Sequence, residues 1–112
     1  MTPTQLHSPT RIAVVAAASR WDLVVTGELD LASGQELVDV ARVLASYRVP
    51  ATELDLEGVV FVDSAGLQAV DEALAVLAAA GTLARVRRSS EPVERFRALF
   101  TEAVASARAT QR

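Results

Sequence analysis

The chain contains no cysteine and no lysine, one histidine, and only three Phe, one Tyr and one Trp in 112 residues. Without cysteine there are no disulfides and no thiolate metal sites, and a reducing compartment is compatible. With one histidine and no thiol, only hard oxygen ligands remain for a metal, and the carboxylates show no calcium-loop spacing. Neither a metal nor a cofactor is therefore expected. No glycine-rich phosphate loop occurs; the five glycines are scattered. Long apolar runs are absent as well. Ile12–Ala18 spans seven residues, too few to cross a bilayer, and only Arg11 supplies the basic flank of a signal peptide. The expectation is a cytoplasmic protein with no membrane insertion. A net charge of −3 argues against nucleic acid or an anionic membrane as partner. All eleven basic residues are arginine, which together with the alanine excess looks like a coding bias.

What is present is 51% apolar residue content, chiefly Val, Leu and Ala, in a length that fits one domain. Residues 1–10, with Pro3 and Pro9, read as a flexible tail, residues 11–104 as the domain, and residues 105–112 as a C-terminal tail or more helix. Arg11–Ala17 and Asp22–Thr26 are Val-rich runs that predict a strand, a turn and a strand. Gly27-Glu28-Leu29-Asp30 breaks that pattern. Ser33 and Glu36 have capping-box spacing, and Leu37, Val40, Ala41, Leu44 and Tyr47 recur behind them, predicting a helix over 34–47. Glu53–Glu57 alternates strictly and predicts a strand with Leu54 and Leu56 facing the core. A turn at Gly58 and a second apolar stretch, Val59–Val62, lead to Asp63. From Ser64, the stripe Leu67, Val70, Leu74 and Leu77 predicts a helix closed by Gly81. Thr82–Arg87 reads as a strand, and Pro92 opens a third helix with Val93, Phe96, Phe100 and Val104 on one face. Strands alternating with helices define an α/β fold, with a mixed, mainly parallel sheet and helices packed on it.

The chemistry concentrates in FVDSAGL, Phe61–Leu67. Ser64 sits at a strand-to-helix turn, as a hydrolase nucleophile does, but its flanks are D-S-A-G rather than G-x-S-x-G. A nucleophilic serine also needs a base, and the one histidine, His7, lies in the predicted tail. The residues therefore point away from an enzyme. Asp63 and Ser64 are both preferred cap residues, so one of them closes the helix start. A helix N-terminus also tolerates phosphate, through its unpaired N–H groups and positive dipole end. A phosphate on Ser64 adds about −1.5 to −2 charges beside Asp63, a switch that a partner can read. Glu28 and Asp30 form a second acidic pair, near Ser64 if loops at the same strand ends cluster; Asp30 or Ser33 is available to cap the following helix. Arg85, Arg87 and Arg88 read as a solvated edge strand, with an anion site as the alternative.

TGELDLAS (Thr26–Ser33) and LDLEGVVFVDSAGL (Leu54–Leu67) together resemble the STAS domain of bacterial anti-sigma factor antagonists, over about residues 11–100. The resemblance implies a single small α/β domain acting as a binding module. It implies that Ser64 is phosphorylated by an anti-sigma factor with a kinase-type ATP-binding domain and reset by a serine phosphatase. It also implies a partner surface of Glu28, Asp30, Asp63, Ser64, Ala65, Gly66 and Leu67. Unphosphorylated antagonist binds the anti-sigma factor and frees the sigma factor; phosphate on Ser64 reverses this. Two departures stand out. Ala65 replaces the Ser or Thr of many antagonists, and TEAVASARATQR lacks the Gly-Leu turn and last strand common in the family. Alanine at that position also occurs in STAS subunits that dock on the ATPase of lipid-transporting ABC systems, which supplies the alternative reading.

Overall fold

A computed structural model describes residues 10–110. β1 (Arg11–Ala16) and β2 (Trp21–Leu29) pair antiparallel, from Arg11 opposite Thr26 to Ala16 opposite Trp21. They are followed by α1 (Leu31–Ser46), β3 (Ala51–Val62), α2 (Ser64–Ala79), β4 (Leu83–Ser89) and α3 (Glu91–Thr110). The sheet order is β1-β2-β3-β4, with β2–β3 and β3–β4 parallel. This is the α/β architecture with a mixed, mainly parallel sheet that the alternation of elements predicts. Of the residues assigned to an N-terminal tail, all but Thr10 lie outside the described residues. At the other end α3 runs on through residues 105–110. No helix among the described residues is long and apolar enough to cross a membrane.

One face of the sheet holds the core. Leu23, Val25 and Leu29 of β2 and Leu54 and Leu56 of β3 meet Leu37, Ala41 and Leu44 of α1, Leu67, Val70, Ala73 and Leu77 of α2, and Val93 of α3. Each fully buried Leu or Val contributes about 1.5–3 kcal/mol relative to an exposed one. The end of α2 is as predicted. Gly81 takes φ +87°, and the amides of Gly81 and Thr82 donate to the carbonyls of Ala78 and Leu77 at 3.0 Å each, the Schellman pattern.

Two strands differ from the sequence reading. β2 does not break at Gly27 but continues to Leu29. β3 has no turn at Gly58; it is one strand of 12 residues. Relative to β2 it carries two extra residues. Val24 faces Asp55 but Thr26 faces Gly58, and Gly27 faces Val59 but Glu28 faces Phe61. These bulges reset which side chains point inward: the first brings in Val59, which does not fit the alternation from Leu54, and the second restores the original phase at Val62. Gly58 serves the strand crossing: a Cβ there would lie 2.6 Å from Thr26 Cγ2.

The other face carries charge rather than helices. The strict alternation Glu53–Glu57 suggests solvated carboxylates, yet Asp22, Glu53 and Asp55 are buried. Arginines lie over them. Arg20 Nε contacts Asp22 Oδ1 at 2.8 Å, Arg85 contacts Glu53 Oε2 at 2.7 Å, and Arg88 Nη2 contacts Asp55 Oδ2 at 2.6 Å. Arg87 reaches all three acids, at 3.9 Å from Asp22, 3.8 Å from Glu53 and 3.0 Å from Asp55. Burial pushes the Asp55 carboxyl up, but hydrogen bonds from Arg88, the Glu57 amide and Arg87 outweigh it and hold it below its ordinary value. The same bonds raise the guanidinium of Arg88, and Asp22 raises that of Arg20. β4 is an edge strand and its arginines keep exposed side chains, as the edge reading expects, but they also pair with the buried acids of β2 and β3.

Candidate functional site

α1 and α2 begin side by side at the end of the sheet where β2 and β3 terminate. Their contact is close near the start, since a Cβ on Gly34 would lie 2.7 Å from Ala69 Cβ. Each start is closed by an aspartate. Asp30 accepts the Ser33 amide at 3.1 Å, and Ser33 Oγ accepts the Asp30 amide at 2.9 Å, a reciprocal capping box. Of the two cap candidates for α1, the structure selects Asp30; Ser33 closes the box from three residues on, and the Ser33–Glu36 box read from spacing does not form. Ser33 Oγ also donates to the Glu28 carbonyl at 3.0 Å, and the Thr10 hydroxyl donates to the same oxygen. The Ser33 amide and hydroxyl hold the Asp30 carboxyl below its ordinary value. Glu28 is the last residue but one of β2 rather than part of a loop, beside Phe61 of β3.

Asp63 caps α2, its Oδ1 accepting the Gly66 amide at 2.8 Å. Its own amide donates to the Leu29 carbonyl at 3.3 Å, which ties the start of α2 to the end of β2. Ser64 is the first residue of the helix and is exposed. Among the described residues no hydrogen bond engages its hydroxyl. The cap is Asp63, and the serine is left over.

Gly66 and Leu67 face inward. A Cβ at Gly66 would lie 2.1 Å from the Leu29 carbonyl oxygen and 2.7 Å from its carbon, so glycine is required by packing against β2. Leu67 belongs to the core. These two residues position the serine, whereas Glu28, Asp30, Asp63, Ser64 and Ala65 all keep some exposure. Ala65 lines a groove between α1 and α2 with Leu31, Gly34, Gln35, Gln68 and Ala69.

The sequence reading missed the apolar company of this site. Leu31, Val60 and Phe61 are exposed large hydrophobic residues at the same end of the molecule. Leu31 follows the α1 cap, Val60 is the extra residue of the second bulge, and Phe61 stands beside Glu28. The one available signal was an apolar run, Val59–Val62, too dense for a single buried face. The result is an exposed serine among three carboxylates and three apolar side chains, on a rigid double helix start. No group of His, Cys, Asp or Glu among the described residues stands together as a metal site. His7 lies outside the described residues.

No protein-family model matches the sequence, and no curated protein matches it. Solved structures do. An anti-sigma factor antagonist from Mycobacterium paratuberculosis is 20% identical over 88% of this chain and 82% of that one, with a TM-score of 0.66. The STAS domain of an antisigma-factor antagonist from Rhodobacter sphaeroides is 18% identical over 74% of this chain and 94% of that one, with a TM-score of 0.59. The protein Mglu is 21% identical over 67% of this chain, with a TM-score of 0.61, but the match spans only 19% of Mglu. Three helices on a four-stranded mixed sheet, with α2 opening at Asp63-Ser64, give this chain the fold of the STAS domains found in anti-sigma factor antagonists.

Proposed function

We propose that this chain is a cytoplasmic anti-sigma factor antagonist that switches partners through Ser64. Unmodified, its Ser64 end docks on an anti-sigma factor that has a kinase-type ATP-binding domain; phosphorylated, it lets go, and a serine phosphatase resets it. The chain is then a substrate and a binding module, not an enzyme. The observation that supports this most is the division of labour at the start of α2. Asp63 holds the cap at 2.8 Å, and the exposed Ser64 hydroxyl has no structural task. Its position suits the added group, because a helix N-terminus carries about half a positive charge and free N–H groups. The folded domain thereby tolerates the phosphate. A docked partner, by contrast, meets about −1.5 to −2 new charges beside Asp63, Asp30 and Glu28. Apolar contact through Leu31, Val60 and Phe61 supplies affinity, and the charge supplies control.

The competing reading is a STAS subunit docked permanently on a transporter ATPase, with Ser64 serving as the helix cap. Since Asp63 performs that task here, the switch is favoured.

Recovery of the protein from its native cytoplasm, with its partner and with intact-mass analysis, tests the proposal. The expected result is a kinase-fold anti-sigma factor as partner and a fraction of the chain carrying one phosphate on Ser64. In direct binding, Ser64→Ala should bind that partner constitutively and Ser64→Glu should bind it more weakly. Equal affinities for the wild type and both variants would rule the switch out.

A further inference from the structure

The two edges of the sheet are built differently. β4 carries Arg85, Arg87 and Arg88, and Arg87 is an extra residue, since Leu54 faces Val86 but Asp55 faces Arg88. Charge and a bulge are the usual devices that stop an edge from pairing with another chain. A second copy added along β4 would also set guanidinium against guanidinium.

β1 has none of these devices. Its register with β2 is unbroken over all six residues, and its one charge, Arg11, stands at its start. Apart from Ile12, which packs partly against the core, both faces are exposed. On the helix side lie Ile12, Val14 and Ala16, with Trp21 opposite Ala16; on the other side lie Ala13 and Val15. Val14 is 42% exposed, Val15 47% and Trp21 41%. Among the described residues β1 pairs only with β2, so the outer row of its backbone donors and acceptors is open.

We propose that β1 is a dimerisation edge, and that its occupant is β1 of a second copy of this chain. The edge is complementary to itself when the two strands run antiparallel about a two-fold axis normal to the sheet. That arrangement keeps the two Arg11 side chains at opposite ends and sets each against apolar residues. Parallel pairing would place them side by side. Residues directly opposite then share a face, so the Ile12–Val14–Ala16 stripes of both copies join into one strip on the helix side. The product is an eight-stranded sheet with all helices on one side.

The contact extends along about 20 Å of strand, at roughly 3.4 Å per residue, and falls at the low end of specific interfaces, near 1,000 Å² in total. The dimer is therefore concentration-dependent rather than permanent. Each copy carries a net charge of −3, so added salt strengthens association by screening the repulsion. Because β3 runs antiparallel to β1, the two Ser64 ends point in opposite directions. Neither is covered, and the dimer presents both.

Sedimentation velocity on the full chain, from about 1 μM to 1 mM, tests this over the range where a weak interface titrates. A monomer–dimer equilibrium is expected, tighter at higher salt. Val15→Lys, at an exposed position, should raise the dissociation constant at least tenfold with unchanged circular dichroism. Leu83→Lys on β4, at a residue 77% exposed, should leave it unchanged. Hydrogen exchange in β1 should slow as concentration rises. A monomer at every concentration would overturn the proposal. So would a dimer that survives Val15→Lys, or one that is lost with Leu83→Lys.

Discussion

Replacing Asp63 and Ser64 one at a time separates a structural aspartate from a spare serine. In Asp63→Ala the Gly66 amide loses the acceptor it holds at 2.8 Å. Caps of this kind are worth about 0.5–2 kcal/mol. Gly66 is buried against Leu29, so water reaches its amide poorly, and the loss belongs in the upper part of that range, about 1.5–2 kcal/mol. For a domain of this size a loss of 1 kcal/mol lowers Tm by roughly 4 °C, so Asp63→Ala should fall by about 6–8 °C. Asp63→Asn keeps an acceptor oxygen and should recover most of the loss. Ser64→Ala removes a hydroxyl that bonds nothing among the described residues and introduces a better helix former, so its effect should lie within about 0.5 kcal/mol of zero. Urea unfolding followed by circular dichroism reads all three, with unchanged m-values confirming that the same transition is compared. If Ser64→Ala costs as much as Asp63→Ala, the hydroxyl is structural and the argument for a switch loses its footing.

Two further predictions concern the sheet. Thr52 is fully buried and its hydroxyl has no hydrogen-bond partner among the described residues, so Thr52→Val should stabilise the fold by about 1 kcal/mol, seen as a higher urea midpoint; a loss of stability would mean that the hydroxyl is paired in solution. The Asp55 carboxyl is held below its ordinary value of 3.8, so it contributes stability that is present above that pH and is lost as pH falls through its folded-state value. Tm should be nearly flat from neutral pH to about 5 and fall below about 4, and in Asp55→Asn, though destabilised at neutral pH, the acid slope should be shallower; an identical slope would remove Asp55 from the account.

The parts of this protein legible in the sequence were those fixed by neighbouring residues. The stripe from Leu67 to Leu77, the glycine stop at Gly81 and the Asp-Ser junction each depend on contacts a few positions apart, and the structure shows each where its pattern placed it. What escaped depended on partners far along the chain. Glu53 and Asp55 alternate as solvated residues do, and it is Arg85, Arg87 and Arg88, 32 or 33 positions later, with Arg20 far upstream, that make their burial tolerable. Gly66 is glycine because of the carbonyl of Leu29, which lies on β2, 37 positions earlier in the chain. At the first helix, Asp30, Ser33 and Glu36 are all competent capping residues, and sequence spacing alone does not choose among them. The anchoring of Ser33 on the Glu28 carbonyl at 3.0 Å accompanies the Asp30 cap.

The bulges of β3 join the fold to the site. Its inward residues are Leu54, Leu56, Val59 and Val62, a spacing of two, three and three that is neither strand nor helix. Read locally, that spacing demands an interruption, and Gly58 offers itself as a turn. Two inserted residues satisfy it without any turn. The first rotates the strand so that Val59 points inward, and the second, at Val60, does the same for Val62. Val62 then pairs with Leu29, the next amide reaches the Leu29 carbonyl, and Asp63 arrives oriented to cap α2. A bulged residue has no place in the ladder, so Val60 is pushed outward, next to Phe61 and Glu28. The device that sets Asp63 on the helix and leaves Ser64 outside it therefore also puts apolar surface beside the serine. Cap, exposed hydroxyl and exposed apolar contact are consequences of one irregularity in one strand.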